Sequence, residues 1–276
     1  MLNRFKIGIF DSGIGGLTVA KAISNLCPNE NLLYIGDTAH MPWGDKSKSH
    51  IVYYATKITE FLIKNGCNII VIACNTASAN ALTEISEQFN QIKLFNVIDP
   101  IILFLQKIKQ TKIGIIGSKQ TIHSGVYQYR VGQLVPPKSI IALATPILVP
   151  LIEEGLIDNP ATNLILEQYL SQLDLPDQSM LILGCTHYPL IKKNIENYYI
   201  KINRQVKVID GADLVANELR DFLLQNKDHN KDKLLNINGN SNMTHNFYVT
   251  DDSEFFLKTA KQFFANVKLE FLPLWG

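Results

Sequence analysis

Two cysteine residues occupy matching positions in two similar segments of this 276-residue chain. Cys74 lies in residues 68–76, an apolar run that closes with Ala-Cys-Asn-Thr. Cys185 lies 111 positions later (185 − 74 = 111) in residues 179–187, an apolar run that closes with Gly-Cys-Thr-His. A strand that ends at a thiol in each half of a duplicated chain predicts two sulfur atoms facing each other across a cleft. Cysteine can act as a base or as an acid because its free pKa of about 8.5 lies near neutrality. The pattern therefore predicts an enzyme that moves protons with two bases.

The repeat extends beyond the two cysteines. Each cysteine is followed after 23 residues by Val-Ile-Asp, which begins at Val97 in the first copy and at Val208 in the second (97 − 74 = 23 and 208 − 185 = 23). Each copy also opens alike, because Lys6 and Lys112 both begin a Lys-Ile-Gly-Ile sequence. We therefore expect two copies of one structural unit.

Apolar runs rich in β-branched residues alternate with amphipathic stretches along most of the chain. Continuous apolar strands separated by helices are typical of parallel sheets covered on both faces. The predicted strands are residues 7–10, 31–35, 69–73, 94–98, 113–116, 140–143, 181–183 and 206–209. The predicted helices include residues 15–25, 49–65, 76–88, 120–131, 161–173 and 212–224. The sequence therefore predicts an α/β fold with two pseudo-symmetric, doubly wound domains and an active site in the cleft between them.

The predicted first domain is discontinuous. It comprises residues 1–98 and 211–276, and residues 99–210 form the second domain. Residues 225–246 are rich in Asn, Lys and Asp, which favours a solvated loop. Three segments follow this loop and are expected to return to the first domain: a strand at 247–250, a helix at 252–264 and an apolar run at 267–272. Ligands of open parallel sheets bind beyond the carboxyl ends of the strands, and the unusual residues of this chain fall there.

The composition is that of an ordinary globular protein, with 46% hydrophobic and 18% charged residues. A formal net charge of +1, from 26 basic and 25 acidic residues, argues against a nucleic-acid surface and against a polybasic membrane anchor. The start of the chain is too short and polar for a signal peptide, and no stretch reaches the roughly 20 apolar residues of a membrane helix. We therefore expect a cytoplasmic protein with reduced cysteines, a small-molecule partner, no nucleic acid and no membrane.

Cys74 follows five apolar residues and directly precedes Asn75 and Thr76, either of which can cap a helix. The free N–H groups at the start of a helix favour an anion and lower the pKa of a thiol below its ordinary value. A small buried core residue is the alternative, because cysteine is common in protein interiors. The matching position of Cys185 in the repeat favours a chemical role for both.

His187 follows Cys185 after one residue, so an imidazole can lie beside the cleft. It can pass a proton to or from the substrate, or hold Cys185 as a thiolate. A capping or surface histidine is the alternative. Because neither a C-x₂-C nor an H-x₃₋₅-H pattern occurs, we expect no metal site. Cys27 and Cys67 have no polar residues with which to form a reactive site and are interpreted as structural.

Asp11 directly follows the first predicted strand, within a glycine-rich turn. The spacing of Gly13, Gly15 and Gly16 does not match a dinucleotide-binding fingerprint, and the Lys-Ser/Thr of a phosphate-binding loop is missing. A carboxylate at this place can orient or deprotonate a thiol, or pair with a substrate ammonium group. A simple turn aspartate is the alternative.

Two further segments are compatible with two interpretations each. Trp43 and Gly44 belong to a Pro-Trp-Gly turn after the second predicted strand, which can cover a small ligand or serve as a structural turn. Glu153 and Glu154 mark either a helix end or a second carboxylate at the cleft, and the sequence favours the helix end.

Four motifs spread over most of the chain resemble those of the glutamate racemases, in the cofactor-independent aspartate/glutamate racemase superfamily. They are Phe-Asp-Ser-Gly-Ile-Gly-Gly-Leu-Thr at 10–18, Ala-Cys-Asn-Thr-Ala-Ser at 73–78, Gly-Cys-Thr-His-Tyr-Pro-Leu at 184–190 and Asp-Gly at 210–211. The resemblance implies two α/β domains with the substrate between them. It implies an isomerase that interconverts L- and D-glutamate, supplies D-glutamate for peptidoglycan and uses no cofactor. We also expect a homodimer.

The same resemblance implies roles for individual residues. Cys74 would act on the D-enantiomer and Cys185 on the L-enantiomer. The residues that assist them would be Asp11, His187 and Glu153. Substrate contacts would come from Asp11, Ser12, Trp43, Gly44, Asn75, Thr76, Thr186 and His187. The family usually has Tyr where this chain has Trp43, so no contact through a phenolic hydroxyl is expected there, whereas the backbone contact of Gly44 can remain.

Three alternatives stay open at this point. A racemase of aspartate or of another small amino acid would use the same groups. A Cys–His acyl-transfer hydrolase would use Cys185 and His187, but it leaves Cys74 and the repeat unexplained. A non-catalytic binding protein built from two such domains has no need of thiols at both strand ends.

Overall fold

The computed structural model describes residues 5–108, 112–136, 139–226, 245–252, 254–264 and 269–273. Strands and helices alternate within these residues, and the strands form two sheets. Every pair of neighbouring strands in both sheets is parallel. The predicted α/β fold with two parallel sheets is therefore confirmed.

The first sheet combines strands from both ends of the chain. Its strands are β1 (Lys6–Asp11), β2 (Asn31–Gly36), β3 (Ile69–Ile72), β4 (Lys93–Asn96), β9 (Asn246–Val249) and β10 (Leu269–Phe271), in the order β10-β9-β2-β1-β3-β4. The second sheet consists of β5 (Ile113–Gly117), β6 (Ile140–Ala144), β7 (Ser179–Gly184) and β8 (Val206–Ile209), in the order β6-β5-β7-β8.

Helices connect the strands and cover the sheets. Their bounds are α1 (Gly16–Leu26), α2 (Lys48–Lys64), α3 (Asn75–Asn80), α4 (Leu82–Gln88), α5 (Asp99–Gln106), α6 (Lys119–His123), α7 (Val126–Gly132), α8 (Leu148–Glu153), α9 (Pro160–Leu170), α10 (Lys192–Lys201), α11 (Ala212–Asn226) and α12 (Glu254–Phe263). α11 packs against both α1 and α5. No described helix has both the length and the apolar sequence needed to cross a bilayer.

The predicted repeat is visible in the sheets. The segments β2-β1-β3-β4 and β6-β5-β7-β8 have the same order. Their central strands also pair in the same register, because Ile7 lies opposite Ile69 and Ile113 lies opposite Met180, which are the positions that the sequence repeat relates. The carboxyl ends of β3 and β7, where the two cysteines follow, are therefore equivalent places in the two copies.

The apolar strands are buried because helices cover both faces of the sheet. In β3, Ile69 and Val71 pack into one hydrophobic cluster, and Ile70 and Ile72 pack into another. Since successive side chains of a strand point to opposite faces, the two clusters lie on opposite sides of the first sheet. This arrangement explains why the strand is a continuous apolar run.

The Val-Ile-Asp repeat does not take the same conformation in both copies. Val208 and Ile209 belong to β8, but β4 ends at Asn96, two residues before the predicted end of this strand. The side-chain oxygen of Asn96 accepts hydrogen bonds from the amides of Ile98 and Asp99, at 2.9 and 3.0 Å. This side-chain bonding turns the chain out of the sheet, so the strand predicted at 94–98 was too long.

Two predicted helices are interrupted. Residues 76–88 form α3 and α4, separated by Ala81, whose φ and ψ of −122° and −8° are not helical. Residues 120–131 form α6 and α7, separated by Gly125 with φ of +70°, a conformation that favours glycine. α5, α8 and α10 were not among the helices singled out from the sequence.

The last part of the chain joins the first sheet. β9 pairs with β2, β10 pairs with β9, and α12 packs against α1. The predicted loop at 225–246 begins too early, because α11 continues to Asn226, and residues 227–244 lie outside the described residues. The division into residues 1–98 plus 211–276 and residues 99–210 stays a prediction.

Gly211 packs so closely on the first half of the chain that no side chain fits there. A Cβ atom at this position would lie 2.6 Å from the carbonyl oxygen of Val97, which is backbone and cannot rotate away. We expect Gly211→Ala to lower the free energy of unfolding by about 1–3 kcal/mol, because overpacking strains the chain. Urea denaturation measures this change.

Gly132→Ala is the matched control for this substitution. Its added Cβ atom would lie 3.8 Å from the nearest side-chain atom, in Ile140, which is ordinary contact. Because Gly132 ends α7, its replacement should leave the free energy of unfolding unchanged or slightly higher. Equal free energies for the two variants would contradict the close packing of Gly211.

Candidate active site

Cys74 and Cys185 both line one cavity. Cys185 directly follows β7, and Cys74 follows β3 after one residue, Ala73. The cavity therefore lies at the carboxyl ends of strands from both sheets. This is where open parallel sheets bind ligands. The other residues of the cavity wall are Ser12, Pro42, Trp43, Gly44, Asp45, Asn75, Thr76, Ser118, Lys119, Pro146, Val149, Thr186 and His187.

Cys74 is almost completely buried and immediately precedes α3. Its Sγ atom lies 3.8 Å from the hydroxyl oxygen of Ser12. Burial, together with the negative charge of Asp11, raises the pKa of the thiol to about 12, although Ser12 and the Ala77 amide act in the opposite direction. The expected lowering of this pKa by the helix start is therefore outweighed by burial. Cys74 is a thiol at neutral pH.

Cys185 has different polar neighbours. Its Sγ atom lies 3.7 Å from Nδ1 of His187, and Nε2 of His187 forms a hydrogen bond with Oε1 of Glu153. Burial alone would lower the pKa of His187, but the hydrogen bonds and negative charges of Cys185 and Glu153 raise it well above its ordinary value. The arrangement places an imidazolium between the Cys185 sulfur and the Glu153 carboxylate.

The structure distinguishes the two adjacent glutamates. Glu153 ends α8 and contacts His187, whereas the side chain of Glu154 is exposed. Glu153 is thus at once the last residue of α8 and a carboxylate bonded to a residue of the cavity wall, and its role in the site stays a prediction. It reaches the cavity only through His187, since Glu153 itself does not line the wall.

Asp11 is fully buried, and its carboxylate is held by neighbouring groups. One oxygen accepts hydrogen bonds from the amides of Gly13 and Gly16, both at 3.0 Å, and the other accepts one from the Thr186 hydroxyl at 3.1 Å. Burial raises the pKa of Asp11, against the opposing effect of His187 and these hydrogen bonds. Asp11 does not line the cavity. It contacts the wall through Thr186, which belongs to the other copy of the repeat.

Trp43 is both a structural anchor and part of the cavity wall. Its indole is fully buried and donates a hydrogen bond of 2.9 Å to Asp37, whose carboxylate also accepts from Thr250. Gly44 lies against the opposite wall, because a Cβ atom there would come within 2.5 Å of the Ser118 side chain. Asp37 was not among the predicted site residues, although it follows β2 just as Asp11 ends β1.

Three hydroxyl groups meet at the part of the wall where the two copies join. Oγ1 of Thr76 lies 2.9 Å from the hydroxyl of Ser118 and 3.2 Å from that of Thr121, and the latter two are 2.9 Å apart. Ser118 also caps α6. Ser118 and Thr121 were not predicted from the sequence. The feature that could have indicated them is a serine, Ser118, directly after the strand β5.

The predicted site residues are thus brought to one place. Those that line the cavity are Cys74, Cys185, Ser12, Trp43, Gly44, Asn75, Thr76, Thr186 and His187. Asp11 and Glu153 do not line it but form hydrogen bonds with two of these residues, Thr186 and His187. In the described part of the chain, no group of three or more His, Cys, Asp or Glu side chains could hold a metal ion. The arrangement offers two sulfurs in unlike environments and several neutral hydrogen-bond donors.

The chain is similar to known proteins over most of its length. The family model described as Asp/Glu/Hydantoin racemase matches residues 17–219. A glutamate racemase of Aquifex aeolicus is 43% identical over 219 residues, covering 79% of this chain and 83% of that protein. A glutamate racemase of a Sulfurihydrogenibium species is 37% identical over 270 residues, or 97% of each chain. The crystal structure of a Francisella tularensis glutamate racemase in complex with D-glutamate has a TM-score of 0.86, at 33% identity and over 99% of each chain.

Glu153→Gln removes the negative charge that holds the His187 proton. We expect the pKa of His187 to fall in this variant, as measured by NMR titration of the imidazole resonances. Glu154→Gln is the matched control, because this adjacent side chain is exposed and should leave the pKa unchanged. The same His187 pKa in both variants would show that Glu153 does not act on the imidazole.

The same interaction links stability to pH. Because the pKa of His187 is raised in the folded chain, its proton stabilises the fold fully below the unfolded pKa of about 6.5. That contribution is lost as the pH rises through the folded pKa. Glu153→Gln should therefore weaken the decline of the unfolding free energy above pH 6.5.

Proposed function

Since this chain belongs to the Asp/Glu/hydantoin racemase family and is an amino-acid racemase, an isomerase, we propose that it interconverts L- and D-glutamate with Cys74 and Cys185 as the two bases. The choice of glutamate is supported by the glutamate racemases to which the chain is similar. The single observation that supports the mechanism is that Cys74 and Cys185 line the same cavity.

Inversion of a chiral carbon by proton transfer needs a base on one face of the substrate and an acid on the other. In this proposal the reaction of L-glutamate begins with Cys185, beside the His187 imidazolium, as the thiolate and with Cys74 as the thiol. In the direction from L to D, Cys185 removes the Cα proton of L-glutamate and Cys74 donates its proton to the opposite face. In the direction from D to L, the two sulfurs exchange these roles.

The negative charge that develops after removal of the Cα proton spreads into the carboxylate that is attached to this carbon. Neutral donors in the wall can hold it, because preorganised hydrogen bonds act strongly where water is excluded. The candidates are Ser12, Asn75, Thr76 and Thr186, which all line the cavity. The backbone of Gly44 is a further candidate, whereas the indole N–H of Trp43 is already bound to Asp37.

Asp11 and Glu153 act through other residues in this proposal. Asp11 holds the hydroxyl of Thr186, and Glu153 holds the His187 imidazolium next to Cys185. His187 can also return a proton to Cys185 during turnover. None of these steps uses a cofactor or a metal ion.

We further propose a place for the enzyme in the cell. The product D-glutamate would serve peptidoglycan synthesis, and thereby cell wall formation and cell shape, in the cytoplasm. The proposed enzyme is a homodimer that binds neither nucleic acid nor membranes. Each subunit would have one domain of residues 1–98 plus 211–276 and another of residues 99–210. A racemase of aspartate would use the same sulfurs, and the assay described next distinguishes the two substrates.

Each sulfur should be indispensable. A general acid or base contributes about 10²–10⁴-fold to a rate, so we expect Cys74→Ser and Cys185→Ser each to lower racemisation by about that factor. The assay incubates L-glutamate, or L-aspartate, in D₂O with a chelator and without pyridoxal phosphate. Chiral chromatography and mass spectrometry then measure the D-enantiomer and its deuterium at Cα.

Cys27→Ala is the control, because Cys27 is buried away from the cavity wall and its loss should leave the rate unchanged. A chain that retains its rate without Cys74 would favour the Cys–His hydrolase instead. Folded wild-type protein that forms no deuterated D-amino acid would remove the racemase mechanism.

The cellular role has its own test. The gene for this chain should restore growth of a bacterial strain that requires D-glutamate, because the enzyme would make this amino acid from the L-enantiomer. The Cys74→Ser variant, expressed at the same level, should fail to do so. Growth with that variant would contradict the two-cysteine mechanism.

A further inference from the structure

Tyr127 connects the second half of the molecule to the residue next to Cys74. It lies in α7, and its side chain is fully buried. Its hydroxyl donates a hydrogen bond of 2.7 Å to Oδ1 of Asn75. Asn75 is the first residue of α3 and lines the cavity, whereas Tyr127 does not line it.

The chemistry of the two groups decides which end of the carboxamide faces Tyr127. Burial, together with the negative charge of Cys185, raises the pKa of the Tyr127 hydroxyl far above its ordinary value, so the hydroxyl keeps its proton. Within the described residues this hydroxyl has no other hydrogen-bond partner. If the amide were flipped, the hydroxyl would accept from the NH₂ group, and its own buried proton would be left unpaired, which is costly. The amide oxygen therefore faces Tyr127.

The NH₂ group of Asn75 consequently points away from Tyr127. It makes no hydrogen bond with any described residue, and it is not among the unpaired polar atoms that are sealed from solvent. Asn75 also lines a second, smaller cavity, which shares Cys185 and Thr186 with the first. The amide hydrogens thus face accessible space close to the sulfurs. A carboxylate accepts such hydrogen bonds, but it would be repelled by the oxygen of a flipped amide.

We propose that Tyr127 is a positioning residue, which holds the Asn75 carboxamide with its N–H groups toward the substrate carboxylate. This inference rests on the proposed function and adds a residue that touches neither the substrate nor the sulfurs. The orientation matters in both directions of the reaction, because negative charge grows on the carboxylate when either sulfur removes the Cα proton.

Tyr127→Phe removes only the hydroxyl group. We expect kcat/KM for L- and D-glutamate to fall about tenfold to a hundredfold, with a clear rise of KM, because the amide loses its fixed orientation. Tyr199→Phe is the matched control. Its hydroxyl is also buried but bonds to none of the described residues, so its loss should leave both kinetic constants unchanged.

A double-mutant cycle separates positioning from a general structural effect. In an Asn75→Ala background, Tyr127→Phe should change kcat/KM little, because Tyr127 acts only through the carboxamide. Losses that multiply in the double variant would overturn the proposal, since Tyr127 would then act independently of Asn75.

A second readout does not require turnover. The cavity cysteines can be alkylated with iodoacetate, which carries a carboxylate, and with iodoacetamide, which carries a neutral amide, and mass spectrometry gives both rates. Tyr127→Phe should lower the ratio of the iodoacetate rate to the iodoacetamide rate several-fold, and Tyr199→Phe should not. An unchanged ratio would overturn the positioning role even in a chain that racemises glutamate. A lowered ratio would support it even if the substrate were a different amino acid.

Discussion

A buried imidazolium between a cysteine sulfur and a carboxylate sets the electrostatics of the whole site. His187 lies between Cys185 and Glu153 in a place where an unpaired ion would be costly, and its proton stays because both neighbours are stabilised by it. Among the described residues, none places a comparable cation beside Cys74. Its neighbours are the hydroxyl of Ser12 and the nearby charge of Asp11, and it remains a thiol. The two sulfurs therefore lie in different electrostatic surroundings, and proton transfer from one face of a substrate to the other needs such a difference.

The fold provides the positions, and a few polar contacts provide the difference. Equivalent registers of the central strands place each cysteine at the carboxyl end of its own sheet. Hydrogen bonds between the copies then fix how these ends meet: Thr186 bonds to Asp11, and Thr76 to Ser118. The duplicated framework is thus nearly symmetric, whereas the groups next to each sulfur are not.

Much of this could be predicted from the sequence, because the information is local. Continuous apolar runs reveal the strands, and polar residues directly after them reveal Asp11, Cys74, Cys185 and His187. The remainder depends on contacts between distant segments. Only the contact of Glu153 with His187 distinguishes Glu153 from Glu154, and only the depth of burial explains why the thiol of Cys74 holds its proton so firmly. Ser118 was missed because its importance arises from the meeting of the two copies. The early end of β4 depends on one side chain, that of Asn96, whose oxygen accepts hydrogen bonds from two backbone amides.

The unequal surroundings of the two sulfurs have a thermodynamic consequence for the proposed reaction. Mirror-image amino acids have the same free energy in water, so the final mixture contains equal amounts of both, whatever protein catalyses the exchange. The specificity constants for the two enantiomers must then be identical. The asymmetry around Cys74 and Cys185 can make the turnover number differ between the two enantiomers. The half-saturation concentration must then differ by the same factor. A difference in half-saturation between the two hands would thus report how unequally the chain populates its two proton distributions.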